Sequence, residues 1–188
     1  MAALFPRGAN ATFRAAALLL ALGVTLLIVG PMIFIRTPYA GRVHEAITQP
    51  VEFDHRHHVR DDGIDCVYCH DSVETDAFAG MPSTERCMGC HSQVWPESSE
   101  LEPVRTSWRT GTPLRWRRVN SVPAFVYFHH GVHIQGGVAC KECHGVVEDM
   151  PRVYRAHNLT MDFCLDCHRK SQGSRDITRL TTCTACHR

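Results

Sequence analysis

Several features are scarce in this chain of 188 residues. Beyond its N-terminal region no stretch holds a helical or strand period for long, which excludes a bundle of long helices and a sheet-built core. A strong charge of either sign is missing as well: 20 Lys and Arg face 19 Asp and Glu, a formal net charge of +1. No cysteine stands alone either. All 10 fall into one short pattern, which excludes a lone reactive thiol and an unpaired disulfide half.

That pattern is Cys-x-x-Cys-His, and it occurs five times: Cys66–Cys69–His70, Cys87–Cys90–His91, Cys140–Cys143–His144, Cys164–Cys167–His168 and Cys183–Cys186–His187. Two thiols three residues apart sit on one helical turn, and the following His lies beneath whatever they hold. This is the spacing of covalent c-type haem attachment, with the His as proximal iron ligand. Zinc ribbons use Cys-x-x-Cys pairs, but they do not require a His directly after each second Cys. Disulfides across so short a loop would be strained and would staple nothing distant. Thioredoxin-like chemistry needs a βαβ context that is missing here. Five haems c are therefore expected.

One long apolar run is present. Ala15 to Ile35 carries no charge, and about 20 apolar residues suffice to cross a bilayer as a helix. Arg7 and Arg14 precede it, and Arg36 and Arg42 follow it, so flanking charge decides orientation poorly. The run exceeds the usual signal-peptide core of about 7–15 residues, and no clear small-residue cleavage site follows. An uncleaved anchor is expected, with Pro31 near its end where a kink is tolerable. Covalent haem attachment takes place outside the bacterial cytoplasmic membrane, which puts the residues after the anchor on the periplasmic face and the short N-terminus inside.

The motifs fall into a duplication. Phe53-x-His55-x-x-His58 precedes Cys66, and Phe128-x-His130-x-x-His133 precedes Cys140. Each element is followed by two haem motifs, so the same chemistry recurs at matching offsets in two modules. The chain divides as 1–14 cytoplasmic N-terminus, 15–35 transmembrane anchor, 36–52 connector, 53–91 first two-haem module, 92–127 linker, 128–168 second two-haem module and 169–188 C-terminal haem segment. The linker, with Pro96, Pro103, Pro113 and Pro123, reads as loop. The expected fold class is a multihaem cytochrome c, with few short helices and irregular loops around haems, plus one N-terminal transmembrane helix. The haems take the place of a side-chain core, so their removal should unfold the chain.

His55, His58, His130 and His133 match in number the four haems of the two modules, and they are the expected distal ligands. His57 and His129 lie outside that register. For the fifth haem, His157, His44 and Met161 stay open, and Met161 would raise the potential. Filled axial positions favour electron transfer over small-molecule catalysis, so no catalytic site is expected. Arg105, Arg109, Arg115, Arg117 and Arg118, interleaved with Trp108 and Trp116, read as propionate partners, a docking face or solvated surface rather than a nucleic-acid site. Five haems would add about −10 of charge if every propionate ionised.

The F-x-H-x-x-H element before Cys-x-x-Cys-His resembles the multihaem cytochrome c3/c7 class. A closer resemblance rests on Gly63-Ile64-Asp65-Cys66, Cys87-Met88-Gly89-Cys90-His91-Ser92-Gln93-Val94-Trp95, Leu101-Glu102-Pro103-Val104, Val126-Tyr127-Phe128 and Cys164-Leu165-Asp166-Cys167-His168-Arg169. Together with the N-terminal helix, these are similar to the pentahaem cytochrome subunit of bacterial alternative complex III, a quinol-oxidising complex. The resemblance implies partners: an iron–sulfur and molybdopterin-like subunit, polytopic quinol-oxidising membrane subunits and a monohaem cytochrome c. The competing expectation is a stand-alone, one-helix multihaem quinol dehydrogenase.

Overall fold

The computed structural model describes residues 8–171 and 176–187; Arg7 lies outside them. The chain separates into two units, Met1–Gly41 and Arg42–Arg188.

In the first unit, helix α1 covers Ala9–Phe34, 26 residues. At about 1.5 Å per residue this exceeds the roughly 30 Å of a bilayer's hydrocarbon core. The helix is long and apolar enough to cross a membrane, and its leucines, valines and isoleucines are exposed. Pro31 sits inside its last turn. The helix stops just after it, where the Thr37 hydroxyl donates to the Phe34 carbonyl at 2.7 Å.

The second unit is made of short pieces. A π-helical turn spans Arg56–Asp61, closed by a bond from Asp62 N–H to the His57 carbonyl, 2.9 Å. It is followed by α2 (Cys66–Cys69), α3 (Thr84–His91), α4 (Glu102–Thr110), α5 (His130–Gln135), α6 (Lys141–His144), α7 (Met161–Lys170), α8 (Ile177–Leu180) and α9 (Cys183–Cys186). Between them, isolated bridges such as Val43 with Arg155 and Val126 with His187 replace a sheet. Among the described residues the buried apolar side chains are Val51, Val73, Val104 and Met150, and none is fully enclosed. That is far too little apolar burial to hold so many residues against chain entropy.

The stretch expected to be loop contains α4. Pro103 lies in its first turn, and Gly111 ends it in the left-handed conformation at φ 65°. Glu102 draws in the following turns by accepting from Arg105 at 2.7 Å and Arg109 at 2.8 Å. Val104 and Ser107 are buried, and Ser107 Oγ meets Thr84 Oγ1 of α3 at 2.6 Å. Proline density hid a helix whose stability comes from a carboxylate shared by two arginines. Arg105 and Arg109 thus have a partner within the chain. Arg118 lies over the Phe78 ring at 5.4 Å, and Arg117 N–H donates to Gln49 at 2.8 Å.

Candidate haem sites

Each Cys-x-x-Cys pair occupies one helical turn, as its spacing demands. Three of the turns begin at a side-chain cap. Asp65 accepts from Val67 N–H, Ser83 from Arg86 N–H and Thr160 from Phe163 N–H. All ten cysteine side chains are exposed or half-buried, so their sulfurs are accessible. Burial is the main cause that pushes the thiols of Cys66, Cys69, Cys87, Cys143 and Cys164 above the ordinary thiol range. Each pair sets its two sulfurs one helical turn apart, the spacing that covalent attachment to a single porphyrin requires.

The histidines carry the clearer signature. A metal-bound imidazole that uses Nε2 must place the hydrogen of Nδ1 on an acceptor. His70 Nδ1 is 2.9 Å from the Gly80 carbonyl, His91 Nδ1 3.0 Å from that of Val94, and His168 Nδ1 3.0 Å from that of Leu180. His187 Nδ1 faces the Phe125 carbonyl at 3.2 Å. The distal candidates follow suit: His58 Nδ1 meets the Asp54 carbonyl at 3.0 Å, His133 Nδ1 the His129 carbonyl at 2.8 Å, and His130 Nδ1 the Ala77 carbonyl at 2.8 Å. The bonds of His58 and His133 both reach the carbonyl four residues back, so the duplication extends to hydrogen-bond geometry.

Three motif histidines each face a histidine of the duplicated element. Ring centroids lie 6.1 Å apart for His58 and His91, 6.3 Å for His130 and His144, and 6.2 Å for His133 and His168. With a metal–imidazole bond of about 2 Å, a ring's centroid lies about 3 Å from the metal, so two rings on opposite sides of one iron are about 6 Å apart. The residues therefore fit a haem iron held between two imidazoles. His55, the fourth member of the set, has His70 and His58 among its neighbours. Burial, then His70 and His58, depress its pKa to about 4, so the ring is neutral, as ligation requires.

Phenylalanines bracket these rings identically in the two modules. Phe53 stacks on His58 at 4.3 Å and 28° and meets His55 edge-on at 4.7 Å and 83°. Phe128 stacks on His133 at 4.5 Å and 28° and meets His130 edge-on at 4.7 Å and 90°. One Phe thus packs against two histidines that lie three residues apart.

The fifth motif docks on the entrance to the second module. Tyr127 N–H donates to the Cys186 carbonyl at 2.8 Å, and the ring found against His187 is Phe125, at 5.8 Å. The three candidates for its sixth ligand sit elsewhere in the contact pattern. His157 stacks on Phe163 at 5.3 Å, His44 lies edge-on to Tyr154 at 5.4 Å, and Met161 is exposed at the start of α7. His57 and His129 are exposed, and His57 faces Asp61 at 3.2 Å.

Two features had no signal in the sequence. The carbonyls of Gly80, Ala77, Leu180 and Phe125 hold histidine rings, yet every residue carries a carbonyl. Asn120, 24 positions before His144, puts its side-chain amide 3.1 Å from that histidine's Nδ1.

Residues 126–188, which hold the last three motifs, match the family described as cytochrome c7 and related cytochrome c. The chain is also similar to the multiheme cytochrome c subunit of the menaquinone reductase of Nitratidesulfovibrio vulgaris. The two are 29% identical, the alignment covering 74% of this chain and 77% of that protein. With that match on its C-terminal third, that relative, and paired thiols and histidines set on short helices and loops, this chain is a multihaem c-type cytochrome, a protein of electron transport.

Proposed function

We propose that the chain binds five haems c, one per motif, and serves as the membrane-anchored electron-transfer subunit of a quinol-oxidising complex, respiratory or photosynthetic. Bound haem supplies a one-electron iron couple. The ten motif cysteines hold the five groups through thioether bonds. His70, His91, His144, His168 and His187 are the proximal ligands, and His55, His58, His130 and His133 the distal ligands of the first four sites. By the register of the duplication, His55 pairs with His70. The observation that carries this reading is the set of three histidine pairs 6.1–6.3 Å apart.

The quinol link draws its support from the relative, whose name describes a subunit of a menaquinone reductase, and from the alternative complex III resemblance. Partners of the chain are then an iron–sulfur and molybdopterin-like subunit and polytopic membrane subunits that handle quinol. Its acceptor is a monohaem cytochrome c or another periplasmic carrier. Helix α1 anchors the chain uncleaved, with the haem unit on the periplasmic side. A haem assay on denatured protein should return five haems per chain, all covalently retained. Purification from detergent-solubilised membranes should bring down an iron–sulfur subunit and polytopic subunits. Rapid reduction of the isolated chain by a quinol analogue would instead make it a stand-alone dehydrogenase.

A further inference from the structure

The order of the motifs along the chain is not the order in which their ligands are connected in space. His55 and His58 flank one Phe and belong to the first and second motifs, so those two sites are neighbours. Arg86 of α3 strengthens this link: it lies over Tyr68 of the first motif at 4.8 Å and pairs with Asp71 at 3.0 Å. His130 and His133 flank Phe128 in the same way and join the third and fourth sites. The Leu180 carbonyl that holds His168 lies three residues before Cys183, which joins the fourth site to the fifth.

The remaining link crosses between modules, and it leaves from the first motif rather than the second. One short segment holds ligands of both modules: the Gly80 carbonyl accepts from His70, and the Ala77 carbonyl accepts from His130. The same segment receives α5 along its backbone. Gly131 N–H donates to the Asp76 carbonyl at 3.1 Å, and Gln135 Nε2 to that of Glu74 at 3.1 Å. A Cβ at Gly131 would sit 2.7 Å from the Glu74 carbonyl oxygen, so the approach is as close as a backbone allows. Cys66 and Cys140, of the first and third motifs, are also neighbours.

Resting on the ligation proposed above, we infer that the five sites form one row in the order second, first, third, fourth, fifth motif, with the duplicated modules joined head to head through their first sites.

The test is a redox titration of the fully loaded wild-type protein followed by NMR, which needs no substitution. Haem signals are assigned through contacts to Phe53, shared by the first and second sites, and to Phe128, shared by the third and fourth. Oxidation of one haem changes the redox equilibrium of its neighbour electrostatically, and the effect falls with distance. The first and third haems should influence each other several-fold, and the second and third scarcely at all. His58→Met, which raises the potential of the second site, should perturb the first haem and leave the third unchanged. Strong second–third coupling with weak first–third coupling overturns the row while five six-coordinate haems keep the ligation reading intact. Fewer than five haems, or several five-coordinate irons, overturn the ligation reading itself.

Discussion

The side-chain amide of Asn120 lies 3.1 Å from Nδ1 of His144. Asn120 Oδ1 is otherwise buried without a partner, and an amide's oxygen and nitrogen are distinguished only by their hydrogen-bond network. If His144 gives Nε2 to iron, its Nδ1 carries the proton and needs an acceptor. Asn120 Oδ1 is then the atom that faces it, taking the part that backbone carbonyls play at the other motif histidines. Asn120→Leu removes that acceptor and makes the imidazole a poorer electron donor. Loss of such a partner costs about 10–100-fold in metal affinity; borne by the ferric state, that is about 60–120 mV for a one-electron couple. The third haem's midpoint should rise by that amount in an optical redox titration, and Asn120→Asp should lower it.

His58 and His133 occupy equivalent places, each bonded to the carbonyl four residues back and stacked on a Phe. His58→Ala should open the sixth position of the second haem, and His133→Ala that of the fourth. Each reduced variant is expected to bind one carbon monoxide more than the wild type, seen as one haem's worth of shift in the Soret band. The wild type should bind at no more than the fifth site. Stoichiometric binding by the wild type at several haems would falsify the distal set.

These residues show what could be read in advance and what could not. The motif thiols and histidines proposed to hold haem stand out in the sequence because covalent attachment needs a fixed local spacing. The histidines proposed as distal ligands stand out because duplication printed the same element twice. Asn120 does not, since its partner lies 24 residues away and a lone Asn has no pattern. Nor does the placement of the fifth motif, which local spacing sets outside both modules. In the folded chain, Tyr127 and Phe125 tie it to the second. Helix α4 was obscured by prolines, because its stabilisation by Glu102, Arg105 and Arg109 depends on side-chain rotamers rather than on apolar periodicity.

Gly131 is the tightest point of the junction between modules. Gly131→Ala sets a methyl 2.7 Å from a backbone carbonyl that cannot swing aside. Overpacking of this kind costs about 1–3 kcal/mol, a fall in melting midpoint of roughly 2–12 °C for a chain of this size. The shift in α5 should also lengthen the bond from His130 to the Ala77 carbonyl. The third haem's low-spin EPR signal should therefore change more than that of the fifth. A variant with wild-type melting and spectra would show that the two modules do not depend on this contact.

Haem removal should abolish the fold of the second unit, and the reason lies in its burial. Val51, Val73, Val104 and Met150 are the buried apolar side chains among the described residues. Fully burying such a side chain contributes about 1.5–3 kcal/mol, while ordering each backbone residue costs about 1–2 kcal/mol. Four such side chains cannot offset the ordering of residues 42–188. The turns that carry the motifs are four to ten residues long, below the about 12–15 needed for even marginal helicity in water. On the proposed ligation, they persist only when both ends are held, by two thioethers on one side and an axial histidine on the other. Full-length chain made in detergent without haem attachment should accordingly keep the far-UV helical signal of α1 and little else. It should show no cooperative thermal transition by calorimetry and rapid proteolysis beyond Gly41. An apo chain that melted cooperatively would mean that the loops pack without their haems, and the second unit would need a core that its burial does not provide.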